Sequence, residues 1–266
     1  MAHRQRVRAI AVADPHAPFT DPQALRWAAR LVRTRRPHYL FCLGDLFEAH
    51  HASVHPDEHD HDALDEYRAG ARILDTLRRA APARCRCVWL LGNHDDNIQR
   101  NDSRRVPRHL RRAVHWNNSR FAESFLRWRQ VPYIKSAEGC FQLGQVIFTH
   151  GFSLRPELEA VQFANYTGGY GNRLVVSGHT HAPLAPTQAR RTLRIPLPLW
   201  HANPGTLADM NALSYADRSD RSVWGTGLVY VECDPHGLGG AGCRWHAETL
   251  IYRMYGSPPR ARGGWR

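Results

Sequence analysis

VRAIAVADPHAPFTDPQALRWAARLVRTRRPHYLFCLGD, Val7 to Asp45, changes its apolar spacing twice. VRAIAVAD is a short β-rich run. In DPQALRWAARLVRTRRP the residues Leu25, Ala28, Ala29 and Val32 recur at helical intervals, with Asp21 placed to cap the first turn, Pro22 at a tolerated first position and Pro37 as a stop. YLFCLGD is a second apolar run. Strand, helix and strand in that order predict a right-handed crossover within a parallel sheet.

The same alternation continues. DALDEYRAGARILDTLRRA repeats the helical spacing through Leu64, Tyr67, Ala71, Leu74 and Leu77, and CVWLLGNHD reads as a third strand. Asn97 to Gln130 is arginine-rich and reads as helical, with several turns. From Tyr133 onward strands dominate, in CFQLG, QVIFTHG, RLVVSGH, LPLWHANPG, GLVYVEC and CRWHAETL. The expected architecture is α/β, a four-layer α/β/β/α sandwich in which two mixed sheets are flanked by helices. A chain of 266 residues can bury one sizeable core, and a single domain over residues 1–255 is expected. The Pro/Gly/Arg-rich GSPPRARGGWR, residues 256–266, reads as a disordered basic tail.

Composition excludes several classes. The apolar runs are far too short to cross a bilayer and MAHRQRVRAI has no signal-peptide core, so a cytoplasmic protein without membrane association is expected. Six cysteines are scattered without a CxxC pair and read as free thiols. The formal charge of +12 comes almost entirely from arginine, with Lys135 the only lysine. A sequence pI near 10.0 suits a polyanionic partner or substrate.

Five apolar runs end in potential metal ligands: Asp14 and His16 in ADPH, Asp45 in GD, Asn93, His94 and Asp95 in GNHD, His150 in THG, and His179 and His181 in GHTH. In open α/β sheets ligands gather at the carboxyl ends of strands, where loops converge. Carboxylate, imidazole and amide oxygen without thiolate favour Mn, Zn or Fe over a soft-metal site. A pair of ions takes about seven protein ligands with one carboxylate shared, and that number is present.

The ordered series D-x-H, G-D-x-x-D, G-N-H-D/E, H-G and G-H-x-H resembles the calcineurin-like metallophosphoesterase superfamily, from Asp14 to His181 with a weaker extension to NPGTL at Asn203–Leu207. The layout looks like the compact phosphoesterases of bacterial and bacteriophage genomes. The resemblance implies that Asp14, His16 and His181 hold one divalent ion, that Asn93, His150 and His179 hold the other, and that Asp45 bridges them. Mn is the first choice, with Zn, Fe or Ni as alternatives. His94 would stand over the metals as leaving-group acid or charge stabiliser, and Asp95 would orient it. Two cations roughly 3.5–4 Å apart would supply hydroxide near neutral pH and clamp the phosphate oxygens.

Departures from the family patterns narrow the branch. Glu48 replaces the second aspartate of G-D-x-x-D and is expected behind the ligands. Purple acid phosphatases carry tyrosine there, and the serine/threonine phosphatases read G-D-x-V-D-R-G, so neither branch fits. The implied activity is phosphate-ester hydrolysis, leaning toward phosphodiesterase or nuclease-type substrates because of the charge balance; the alternatives are a phosphomonoesterase on a small metabolite or nucleotide, and a catalytically silent binding scaffold. Within Gln99–His115, Arg104, Arg105 and Arg108 are candidate substrate-rim residues, against the plainer reading of a solvated helix surface. The histidine-rich His50–Asp62 stretch reads as a solvated loop, and AVQFANYTGGYGN, between His150 and His179, as a rim loop.

Overall fold

The computed structural model describes residues 6–52, 62–100, 115–168, 172–189, 198–213, 222–236 and 245–255. Arg104, Arg105 and Arg108, most of the histidine-rich stretch and the 256–266 tail lie outside the described residues.

The first half forms as its periodicities predict. Strand β1 (Val7–Val12) leads through helix α1 (Pro22–Arg35) to β2 (Tyr39–Cys42), and helix α2 (Ala63–Ala80) leads to β3 (Arg86–Leu90). The Asp21 carboxylate accepts the Gln23 and Ala24 N–H groups at 2.7 and 3.3 Å, a cap worth about 1 kcal/mol. Ala24, Ala28, Ala29 and Val32 are buried, and Arg33 and Arg35 sit at the electronegative helix end. In α2 the buried face carries Tyr67, Ala71, Leu74 and Leu77, whereas Leu64, in the first turn, is exposed.

In the Asn97–Gln130 segment, expected to be helical with several turns, the described residues add a strand to the helices. Helix α3 (Asn93–Arg100) and helix α4 (Ala122–Leu126) are followed by a three-residue strand, β4 (Arg129–Val131), which extends the parallel array beside β3. Beyond it come β5 (Phe141–Leu143), β6 (Val146–Thr149), helix α5 (Pro156–Tyr166), β7 (Arg173–Ser177), β8 (Leu184–Gln188), β9 (Leu199–Asn203), β10 (Gly225–Cys233) and β11 (Trp245–Met254). The anticipated rim loop is thus helical through Tyr166, because Ala160, Phe163 and Ala164 form an apolar i, i+3, i+4 face against the sheet.

One sheet has the order β11-β10-β1-β2-β3-β4 and the other β5-β6-β7-β9-β8, each mixing parallel and antiparallel pairs. Alternate side chains of the buried strands serve two cores. Ala9, Ala11, Phe41, Leu43 and Val88 face Val146, Phe148, Leu174 and Val176 of the other sheet, with Phe41 stacked on Phe148 at 3.9 Å. Ile10, Val12, Leu40 and Trp89 turn outward under α1 and α2, while Ile147, Val175 and Leu199 pack under α5. The result is the four-layer α/β/β/α sandwich, with each fully buried aliphatic or Phe side chain contributing about 1.5–3 kcal/mol. Cys42, Cys85, Cys87, Cys140 and Cys233 are free thiols. Among the described residues no helix is long and apolar enough to cross a membrane.

Candidate metal centre

Strands β1, β2 and β3 run parallel, so Asp14, Asp45 and Asn93 emerge at one sheet edge; β6 and β7 run parallel in the second sheet and deliver His150, His179 and His181. The sheets are joined across this edge by His150, whose Nδ1 donates to the Leu43 carbonyl at 2.6 Å. Close approach is required: a Cβ on Gly44 would stand 2.4 Å from His150 Nδ1, and one on Gly92 would stand 2.1 Å from Asp45 Oδ1.

Among the described residues three clusters have ligand atoms within 4.8 Å of one another, Asp14/His16/His181, Asp45/His150/His179 and His16/Glu48/His94. In the first, His16 Nε2 faces His181 Nε2 at 3.1 Å. In the second, His150 Nε2 lies 3.1 Å from Asn93 Oδ1 and 3.3 Å from Asp45 Oδ2. Because Nδ1 of His150 already carries the donated hydrogen, a neutral ring would point its Nε2 lone pair at two further acceptors. A second proton, a cation, or an Asn93 amide turned to donate relieves that repulsion. Asp14 Oδ1 is buried without a hydrogen bond, while its Oδ2 accepts the His179 N–H at 2.9 Å. Converging acceptors, an orphaned carboxylate oxygen and the absence of thiolate fit a hard or borderline divalent ion.

Electrostatics points the same way. Burial, with the Asp45 charge, raises the Asp14 pKa well above the usual carboxylate value. Burial resists charging of His150 too, but Asp45 and Asp14 outweigh it and lift its pKa to about 10. His179 is held down to about 4 by burial and the neighbouring His150 charge, and His181 is lowered by burial and His16. His179 and His181, kept neutral beside two buried carboxylates, retain the lone pairs that a cation would use.

The backbone is strained to deliver these groups. Asp14, His16, Asp45, His179 and His181 all have positive φ, between 44° and 70°. Non-glycine residues avoid this region at a cost of roughly 1 kcal/mol or more each, and such strain concentrates at functional sites.

Glu48 stands behind the first cluster, its Oε2 accepting His16 Nδ1 at 2.7 Å. His94 is oriented differently from expectation. Its Nδ1 donates to the Glu48 carbonyl at 2.7 Å, with Glu48 Oε1 at 3.9 Å. Asp95 instead accepts N–H groups from Gly92, Phe47, Leu46 and the Trp89 indole, at 2.9 to 3.4 Å. Its carboxylate braces the turns that carry Asp45 and Asn93, and the orienting contact passes to Glu48.

Three further bracing residues escaped the sequence reading. Asn203 Nδ2 donates to the Gly178 carbonyl at 2.9 Å, and Thr206 Oγ1 to the Asp14 carbonyl at 2.6 Å; the NPGTL turn was their only sequence signal. Glu159 of α5 accepts the Phe152 and Ser153 N–H groups just after His150, and nothing local in the sequence marks it.

The sequence profile of the calcineurin-like phosphoesterases matches residues 7–183, a span that contains every candidate ligand. The chain belongs to the calcineurin-like phosphoesterase family. It is a metal-dependent phosphoric ester hydrolase. Solved structures similar to this phosphoesterase include the YfcE phosphoesterase from E. coli, 17% identical, covering 85% of this chain and 91% of that one with a TM-score of 0.41. Chaetomium thermophilum Vps29 is 14% identical over 96% of this chain and 99% of its own, TM-score 0.41. The Pseudomonas putida nuclease MPE is 18% identical over 91% and 87%, TM-score 0.37. No curated protein matches the chain.

Proposed function

We propose that this phosphoesterase is a two-metal hydrolase of phosphodiesters, acting on nucleic acid or nucleotides in the cytosol, with Mn as the working ion. The observation that supports the metal reading is the convergence of Asp14, His16 and His181, and of Asp45, His150 and His179, each set with ligand atoms within 4.8 Å of one another, with Asn93 Oδ1 3.1 Å from His150 Nε2. Asp14, His16 and His181 would hold one ion, Asn93, His150 and His179 the other, and Asp45 would serve both. When bound, such a pair supplies a water ionised near neutral pH and polarises the phosphoryl oxygens.

The remaining chemistry belongs to the side chains. His94 keeps its Nδ1 hydrogen on the Glu48 carbonyl, which leaves Nε2 as its working atom. Burial opposes its charge, while Asp45 and Glu48 raise its pKa to about 9, and Nε2 is the atom placed to give a proton to the departing oxygen. Asn93 offers an oxygen without adding negative charge beside an anionic substrate. The diester preference is supported by the formal charge of +12.

The test combines metal analysis with Mn-dependent turnover of bis-p-nitrophenyl phosphate and p-nitrophenyl phosphate. The diester should be preferred; monoester preference would identify a phosphomonoesterase, and bound metal without turnover a silent scaffold. Asp45→Asn should lose metal and activity, whereas His94→Ala should keep metal and lower kcat by roughly 100- to 10,000-fold.

A further inference from the structure

The sheet edge that carries Asp14, Asp45 and Asn93 does not end at β3. Strand β4 pairs parallel beside it, with Val131 opposite Leu90 and the Val131 carbonyl accepting the Leu91 N–H at 2.9 Å. Two residues past that strand stands Tyr133, level with the Gly92–Asn93 turn. The fourth strand therefore brings an aromatic ring to the edge where its neighbours bring ligands.

That ring sits in an ordered setting. Tyr133 meets the His150 ring edge-on at 5.7 Å and stacks on Phe152 at 4.1 Å, with 21° between planes. Phe152 in turn lies nearly parallel to the buried Phe163 at 5.9 Å, and its backbone N–H is held by Glu159. The ammonium of Lys135 is 5.3 Å from the Phe152 ring centre. Tyr133 and Phe152 are each partly exposed and Lys135 is exposed.

We infer that Tyr133, stacked on Phe152 and flanked by Lys135, is a substrate subsite that takes the nucleobase of an ester whose phosphate lies at the His150 side of the centre. The inference rests on the metal-centre reading above and says where the base of that proposed nucleotide substrate sits. A flat polarisable ring backed by a second ring is the surface on which a base stacks, whatever its sequence. The adjacent cation draws the polyanion of which that base is part. The edge-on contact of Tyr133 with His150 at 5.7 Å places the aromatic pair directly beside the centre.

The experiment is calorimetry on the Mn-loaded full chain with inorganic phosphate and with the non-hydrolysable phosphonate analogues of thymidine monophosphate and deoxyribose phosphate, which differ only in the base. The thymidine analogue should bind about tenfold more tightly, the effect of one stacked base. Tyr133→Phe should keep that preference. Tyr133→Ala should abolish it, and so should Tyr133→Leu, which preserves apolar packing if the alanine variant unfolds; both should retain Mn and inorganic phosphate. Equal binding of the two analogues to the wild type overturns the subsite alone. Equal losses for both analogues in Tyr133→Leu would also overturn it, leaving Tyr133 a positioning residue for His150. A chain that binds neither Mn nor phosphate removes the metal centre and the subsite together.

Discussion

His16 gives its Nδ1 hydrogen to the Glu48 carboxylate across 2.7 Å, and this contact fixes which nitrogen of His16 faces the centre. An ionised carboxylate can only accept, so the hydrogen sits on Nδ1 and the lone pair on Nε2. Through its backbone carbonyl the same glutamate also holds His94, so one residue sets the tautomer of a candidate ligand and the direction of the candidate acid.

Glu48→Ala should therefore lower Mn affinity by roughly 10–100-fold, the usual effect of losing a partner behind a metal ligand. Glu48→Gln should fall between the two proteins, since its amide oxygen still accepts from His16 but carries no charge. Mn titration of both variants checks the order; equal affinities in all three proteins would remove Glu48 from the site.

Asp95→Asn should act on stability more than on chemistry. Its carboxylate accepts four N–H groups, and an amide nitrogen turned toward any of them leaves a buried donor unpaired, at about 1–3 kcal/mol. Urea unfolding should show that loss, while the alkaline limb of the pH–rate profile, set by loss of the His94 proton, keeps its position. A displaced limb with unchanged stability would restore Asp95 as the residue that orients His94.

Gly70→Ala, in the interior of α2, sets two effects against each other. Helix propensity favours alanine by about 1 kcal/mol. A Cβ there would stand 2.4 Å from Phe47 Cε1, and Phe47 is buried among Tyr67, Trp89, Trp116 and Phe125 with no room to yield. Overpacking of this kind costs about 1–3 kcal/mol, so the net change should be destabilising, by up to about 2 kcal/mol. A higher urea midpoint in the variant would show that the core can shift.

Glu66 should make stability fall with rising pH. It is fully buried on α2, where its carboxylate accepts the Ala49 and His50 N–H groups, and burial raises its pKa from 4.5 to about 8. The folded state thus holds a proton that the unfolded chain has released. Its contribution is full below the unfolded value and is lost as pH climbs through the folded one. The melting temperature of the wild type should drop between about pH 5 and 8, and Glu66→Gln should flatten that part of the curve. Parallel curves would rule out the buried proton.

The chain order of strands and helices in the first hundred residues was legible because apolar spacing is a local property: period two or a continuous run for strands, a 3.6-residue period for helices. The candidate ligands were legible for a related reason, since parallel strands in one sheet must present their ends together. Short or edge elements were not. Strand β4 has three residues, β8 holds Pro186 at a sheet edge, and α5 mixes its apolar face with aromatic and polar residues, so none carries a clear local period.

What folding alone decided is the pairing of groups distant along the chain. The family resemblance implies that Asp95 orients His94, yet side chains adjacent in sequence diverge on a helix, and the contact fell to Glu48, 46 residues away. Likewise His150 meets Leu43 across 107 residues, and Tyr133 comes to rest against His150 because β4 docks beside β3. Such contacts depend on the relative placement of whole layers, which is set by the sum of core packing rather than by any local pattern. The sequence thus determined which groups arrive at the sheet edge; the tertiary structure decided which of them converge on one another and which hold the others in place.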